Sequence, residues 1–173
     1  MFSNENTRMR ALLGLGANLG DPEKTLRSAV ECIKRLPRVT FIRCSSMYVT
    51  APVETPDAQP DYINMIVEVE TDRSPYTLLG MCLGIESAHM RERPYAKAAR
   101  TLDIDLLMCG SGEDMISIDS DELKLPHPRV HYRAFVLVPL AELYPGKIIF
   151  GDDFSRVLDE CSDQSIYLLK SLT

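Results

Sequence analysis

The run Arg100-Thr101-Leu102-Asp103-Ile104-Asp105-Leu106-Leu107 constrains the fold of this chain more than any other segment. Its alternation reads as a buried β-strand, in which side chains two apart share a face. Leu102, Ile104 and Leu106 then face a core, while Asp103 and Asp105 project together from the other side. Two carboxylates held that close repel each other unless something neutralises them, and a hard divalent cation such as Mg²⁺ does so. Taken alone, the pattern also fits a strand with one wet face, so its neighbours decide its meaning.

Those neighbours are basic. Arg91, Arg93, Lys97 and Arg100 precede the aspartates, interrupted by Glu92, in a stretch that lacks a helical or strand period and contains Pro94. A cationic loop that feeds into a carboxylate pair suits polyphosphate, gripped by guanidinium groups on one side and carboxylate-bound metal on the other. The net charge of −6 argues against a general nucleic-acid binder and leaves room for such a local patch.

The rest of the chain alternates strands and helices. Met9 to Leu15 reads as an apolar strand, and Asp21 caps a helix from Pro22 with Leu26, Ala29, Val30, Ile33 and Leu36 inward. Val39 to Val49 reads as one strand. Residues 50–61 carry Pro52, Pro56 and Pro60, as a stiff loop would. Tyr62 to Thr71 alternates, with Ile63, Met65, Val67 and Val69 inward and Tyr62 and Asn64 on the opposite face. A second helix from Ser74-Pro75 carries Leu78, Leu79, Cys82 and Ile85 on one side. A short strand near Met115 to Ile118, a helix around Tyr132 to Leu143, a helix near Ser155 to Asp159 and a strand near Ile166 to Leu169 complete the pattern. Strands that follow one another directly, mixed with strands separated by helices, favour an α+β, ferredoxin-like sandwich with a mainly antiparallel sheet.

Length favours a single domain over residues 1–173. The five cysteines are scattered, with no Cys-x-x-Cys, as expected of reduced thiols in a cytoplasmic protein. No membrane-spanning run and no signal-peptide core is evident. Gly14-Leu15-Gly16-Ala17-Asn18-Leu19-Gly20 mimics a dinucleotide fingerprint, but the last spacer is one residue too long. It reads as a shaped strand-to-helix turn. Tyr62 beside Asn64 offers a stacking surface and a donor–acceptor amide, suited to a flat heterocycle, although such a pair also fits a solvated face. His127 sits between Pro126 and Pro128, near Arg129, His131 and Arg133.

Four segments together carry a family resemblance: Leu15-Gly16-Ala17-Asn18-Leu19-Gly20; Gln59-Pro60-Asp61-Tyr62-Ile63-Asn64; the Asp-x-Asp strand; and Leu125-Pro126-His127-Pro128-Arg129 with Arg133-Ala134-Phe135-Val136-Leu137. Over about residues 10–145 the chain resembles the 6-hydroxymethyl-7,8-dihydropterin pyrophosphokinases of folate biosynthesis. The resemblance implies a ferredoxin-like fold, two Mg²⁺ ions, and transfer of diphosphate from ATP to the pterin hydroxymethyl group with release of AMP. It assigns Asp103 and Asp105 as metal ligands, with Asp103 also helping to activate the hydroxyl. Arg91, Arg93 and Arg100 join them as catalytic groups, and Glu86, His127 and Arg133 complete the surroundings of ATP. Tyr62 and Phe135 sandwich the pterin, Asn64 reads its polar edge, and Thr50, Pro52 and Val53 border it. In this family the arginine-bearing loop closes over the substrates.

The chain departs from the common pattern in three places. Many relatives carry Arg-Trp-Gly-Pro-Arg before the Asp-x-Asp strand, where this chain has Ala96-Lys97-Ala98-Ala99-Arg100 and no Trp. Glu122 and Lys124 stand where some relatives place an Arg and a Thr near ATP, and the tail after about residue 145 matches weakly. The substrates are small molecules, a monomer suffices, and neither nucleic acid nor membrane is expected as a partner. Two other classes fit the residues read without the resemblance: another Mg-dependent phosphotransferase or phosphohydrolase, and a non-catalytic nucleotide- or RNA-binding module.

Overall fold

The computed structural model describes residues 8–50, 60–89, 101–128, 130, 134–160 and 166–170. The chain order is β1 (Met9–Ala17), α1 (Pro22–Lys34), β2 (Val39–Cys44), β3 (Met47–Thr50), β4 (Tyr62–Thr71), α2 (Pro75–His89) and β5 (Asp103–Ser111). It continues with β6 (Asp114–Met115), β7 (Ile118–Asp119), β8 (Lys124–Leu125), α3 (Ala134–Leu143), β9 (Ile148–Ile149), β10 (Asp152–Asp153), α4 (Ser155–Glu160) and β11 (Ile166–Lys170).

The main sheet runs β11-β3-β4-β1-β5-β6, with β2 also paired to β4, and every pairing among the described residues is antiparallel. Strand β4 therefore lies between β1 and the β2–β3 pair, and β1 lies between β4 and β5. This is the split βαβ arrangement of a ferredoxin-like α+β sandwich.

Helix α1 starts where the sequence places it. The Asp21 carboxylate accepts from the Lys24 backbone N–H at 3.1 Å, and Pro22 needs no such partner. Leu26, Ala29, Val30 and Ile33 turn inward and meet Leu78, Cys82 and Ile85 of α2 in one core cluster. Leu13, Leu15, Met65, Val67, Val69, Leu102, Ile104 and Leu106 supply the sheet side of that core.

The opposite face of the sheet is not simply wet. Leu12, Ile66, Leu107 and Met108 form a second core with Val136, Leu137, Leu140 and Leu143 of α3. A bulge in β5 helps: Leu12 pairs with Met108 and Leu13 with Leu106, so Leu107 is the extra residue and turns to the α3 side. Ile149, Phe150 and Phe154 of the weakly matching tail fill the same cluster, so the tail is part of the packed body. Asn64 is 8% exposed, which the solvated-face alternative for the Tyr–Asn pair does not fit.

Two expected strands are divided. Val39 to Val49 breaks at Ser45-Ser46 because β2 and β3 pair with separate stretches of β4: Cys44 faces Val67 and Tyr48 faces Asn64. Three residues on one side then oppose two on the other. Ser45 spans the gap, its N–H donating to the Ile66 carbonyl at 2.8 Å and its Oγ accepting from the Ile66 N–H at 2.8 Å. The segment near Met115 to Ile118 also divides, since β6 pairs with β5 whereas β7 pairs with β8. No helix among the described residues is long and apolar enough to cross a membrane.

Candidate active site

The face of the sheet that α3 covers is left open toward one end, where β1 and β3 finish and β4 and β5 begin. The register fixes which residues meet there. Gly16 pairs with Asn64 on one side and Asp103 on the other, and Gly14 pairs with Ile66 and Asp105. Directly paired residues share a face in an antiparallel ladder. Asp103 and Asp105 thus stand on one side of β1 and Tyr62 and Asn64 on the other, with Gly16 directly between Asp103 and Asn64.

Both glycines lie close under neighbouring side chains. A Cβ at Gly16 would stand 3.0 Å from Asn64 Oδ1, and one at Gly14 would stand 3.1 Å from Leu107 Cδ1. A shallow floor therefore separates the carboxylates from the Tyr–Asn pair. The turn after β1 is tied to the same end, because Asn18 Nδ2 donates to the Pro60 carbonyl at 3.3 Å, just ahead of Tyr62. The shaped-turn reading of residues 16–20 thereby acquires a role in joining β1 to the start of β4.

Both aspartates are half-buried, and Leu102, Ile104 and Leu106, between 0% and 3% exposed, hold the strand beneath them. They border a pocket of about 560 Å³ with Glu86 and Leu79 of α2, Glu122, Lys124 and His127. His127 is held there because its backbone N–H donates to the Leu107 carbonyl at 2.7 Å. Glu86 is 5% exposed. At the end of the same helix, His89 bonds through Nδ1 to the Ile85 carbonyl at 2.8 Å and through Nε2 to Ser28 Oγ at 2.9 Å, which joins α2 to α1. Beneath the pocket, burial pushes the Cys82 thiol up to about 12, and the charges of Glu86 and Asp105 add to the shift. That thiol stays protonated and is no nucleophile at neutral pH.

On the other side of the glycine floor, Asn64 Nδ2 donates to Thr50 Oγ1 at 2.8 Å. This bond fixes the carboxamide, leaving Oδ1 toward Gly16. Thr50, Tyr62 and Asn64 form one group on the β3–β4 pair. Phe135, in the first turn of α3, is half-buried against the second core, and α3 packs over β3 and β4. Pro52, Val53, Arg91, Arg93, Arg100 and Arg133 lie outside the described residues. Gly16, read from the sequence as part of a shaped turn, joins this open end between Asn64 and Asp103.

A wholly oxygen donor set on neighbouring positions of one strand suits a hard cation. No group of three or more His, Cys, Asp or Glu able to hold a metal occurs among the described residues. A two-carboxylate site of this kind leaves most coordination positions to substrate oxygens and water, the habit of Mg²⁺.

The profile of the 7,8-dihydro-6-hydroxymethylpterin-pyrophosphokinase (HPPK) family matches residues 12–145. The chain belongs to the HPPK family. Relatives named 2-amino-4-hydroxy-6-hydroxymethyldihydropteridine pyrophosphokinase match over most of this chain. The one from Methylorubrum extorquens is 37% identical over 157 residues, covering 91% of this chain and 96% of its own. The one from Bacillus subtilis is 39% identical over 133 residues, 77% of each chain. A solved structure of Plasmodium falciparum HPPK-DHPS superposes with a TM-score of 0.64 at 14% identity, covering 91% of this chain and 46% of that one. At that identity the likeness shows a shared fold. All four segments that carry the HPPK resemblance fall within the matched residues.

Proposed function

We propose that this chain transfers diphosphate from ATP to the hydroxymethyl group of 6-hydroxymethyl-7,8-dihydropterin, giving AMP and the pterin diphosphate for folate biosynthesis. The observation that carries this reading is the open sheet end, where a carboxylate pair on β5 and a Tyr–Asn pair on β4 flank β1, with Gly16 between Asp103 and Asn64. A phosphate-handling half and a heterocycle-handling half, one strand apart, are what joining ATP to a pterin requires.

In this reading Asp103 and Asp105 hold two Mg²⁺ ions. When bound, the ions neutralise the phosphate oxygens and polarise the phosphoryl group. Glu86 and His127, with Arg91, Arg93, Arg100 and Arg133, surround ATP. The guanidinium groups stabilise the charge that develops on the bridging oxygen as AMP departs. Asp103 helps to take the proton of the attacking hydroxyl. Tyr62 and Phe135 sandwich the pterin ring, Asn64 reads its polar edge, and Thr50, Pro52 and Val53 border it. Residues 1–173 act as one domain and as a monomer, in the cytoplasm.

The test is ATP consumption with and without the reduced pterin. AMP is expected only when both the pterin and Mg²⁺ are present, with turnover lost on chelation and restored by added Mg²⁺. ADP or free phosphate formed without the pterin would overturn the reading. The glycine floor gives a second expectation. Gly16→Ala presses a Cβ on Asn64 Oδ1 and should weaken pterin binding by about tenfold with ATP affinity unchanged. Equilibrium titration of each ligand checks it, and equal losses for both would contradict it.

A further inference from the structure

Where the ladder breaks between β2 and β3, a side chain from α3 completes it. Ser46 is 4% exposed and its N–H lies outside the strand pairings, so it needs a partner. Glu142 supplies one from 96 residues away: its carboxylate oxygens accept from the Ser46 N–H at 2.9 and 3.1 Å. The same carboxylate accepts from Ser46 Oγ at 2.5 Å and from Tyr48 Oη at 2.9 Å. Burial and the Glu142 carboxylate push the Tyr48 phenol up to about 12, so it remains a donor across the physiological range.

Both ends of this tie lead to the candidate pterin site. On the helix, Phe135 and Glu142 lie two turns apart and so share a face of α3. On the sheet, Tyr48 pairs with Asn64, and Thr50 accepts from Asn64 Nδ2. One carboxylate therefore spans the helix that carries Phe135 and the strand that orients Asn64. We propose that Glu142 is a positioning residue for the heterocycle, setting α3 against β3 so that the ring-stacking and edge-reading groups keep their spacing. The proposal rests on the pterin reading of this site. A second tie, Tyr144 Oη to Glu68 at 2.9 Å, anchors the chain just beyond the end of α3, so loss of the Glu142 bonds alters spacing without releasing the helix.

The experiment compares Glu142→Gln, Tyr48→Phe and the double variant with the parent chain. Dissociation constants are measured for the pterin by its fluorescence and for a non-hydrolysable ATP analogue with Mg²⁺, alongside thermal melting. Glu142→Gln is expected to weaken pterin binding on the order of tenfold, and Tyr48→Phe less, with nucleotide affinity held within about twofold. The double variant should lose less than the sum of the singles, because one network is removed. Equal weakening of both ligands would make Glu142 merely structural, and unchanged pterin affinity would remove its role; either overturns the proposal. A parent chain that binds no pterin would instead overturn the functional reading beneath it.

Discussion

Asp105→Ala is expected to lower turnover by about a thousandfold or more while leaving the melting temperature essentially unchanged. The two halves of this expectation come from the two faces of β5. Ile104 and Leu106, on either side, are 3% and 2% exposed in the first core, and they hold the strand whatever occupies position 105. Asp105 itself is half-buried at the pocket, opposite Gly14, so its truncation opens toward the pocket and not into the core beneath the strand. It also relieves repulsion from Asp103, which shares its face. In the proposed reaction, charge neutralisation at the phosphates depends on both carboxylates, and no third acidic group among the described residues completes a metal cluster with them. Turnover and thermal melting of the same preparation check the expectation. Activity near that of the parent, or a large loss of stability, would contradict the assigned role.

Glu68→Ala carries the largest expected effect on stability. Glu68 is 0% exposed, yet it lies on the α3 side of β4, the face that bears Asn64 at its other end. Its carboxylate accepts from Arg43 Nε at 2.6 Å, Arg10 Nη1 at 3.4 Å and Tyr144 Oη at 2.9 Å. The Arg43 guanidinium also lies over the Tyr144 ring, 4.7 Å from its centroid. Burial, with the Glu68 charge next to it, pushes the Tyr144 phenol up to about 12, so its proton is committed to the carboxylate. Truncation removes the acceptor of three donors and opens space under Tyr144. The expected cost is about 2–4 kcal/mol, or about 4–16 °C in melting temperature. The arginines are partly exposed and recover water, which keeps the cost below that of a fully enclosed ion pair. Urea unfolding measures it, and a loss under about 0.5 kcal/mol would contradict the argument.

The parts of the fold that declared themselves in the sequence were those set by local chemistry. Asp21 before Pro22 announces a helix start, and the inward residues of α1 recur at helical spacing. The alternation in Tyr62–Thr71 correctly assigned Met65, Val67 and Val69 to one core. The second core was harder to see, since Ile66 and Glu68 interrupt what reads as an open face. The signal for it was α3 itself, Ala134–Leu143, whose residues are apolar nearly all round and so need burial on more than one side. The break at Ser45-Ser46 left no local trace, because the groups that stabilise it are Ile66 and the distant Glu142. Asp103 and Asp105 were legible as a pair on one strand face. That Thr50, Tyr62 and Asn64 stand just across β1 from them follows from strand order, which spacing along the chain does not encode.

The central claim is that a diphosphate moves as one unit from ATP to the pterin. The most direct measurement follows the β-phosphorus of ATP, isotopically labelled, through turnover with the reduced pterin and Mg²⁺. The account predicts that the label leaves the nucleotide and appears in the pterin product, in step with unlabelled AMP. Label retained in ADP, or released as free phosphate, would contradict it.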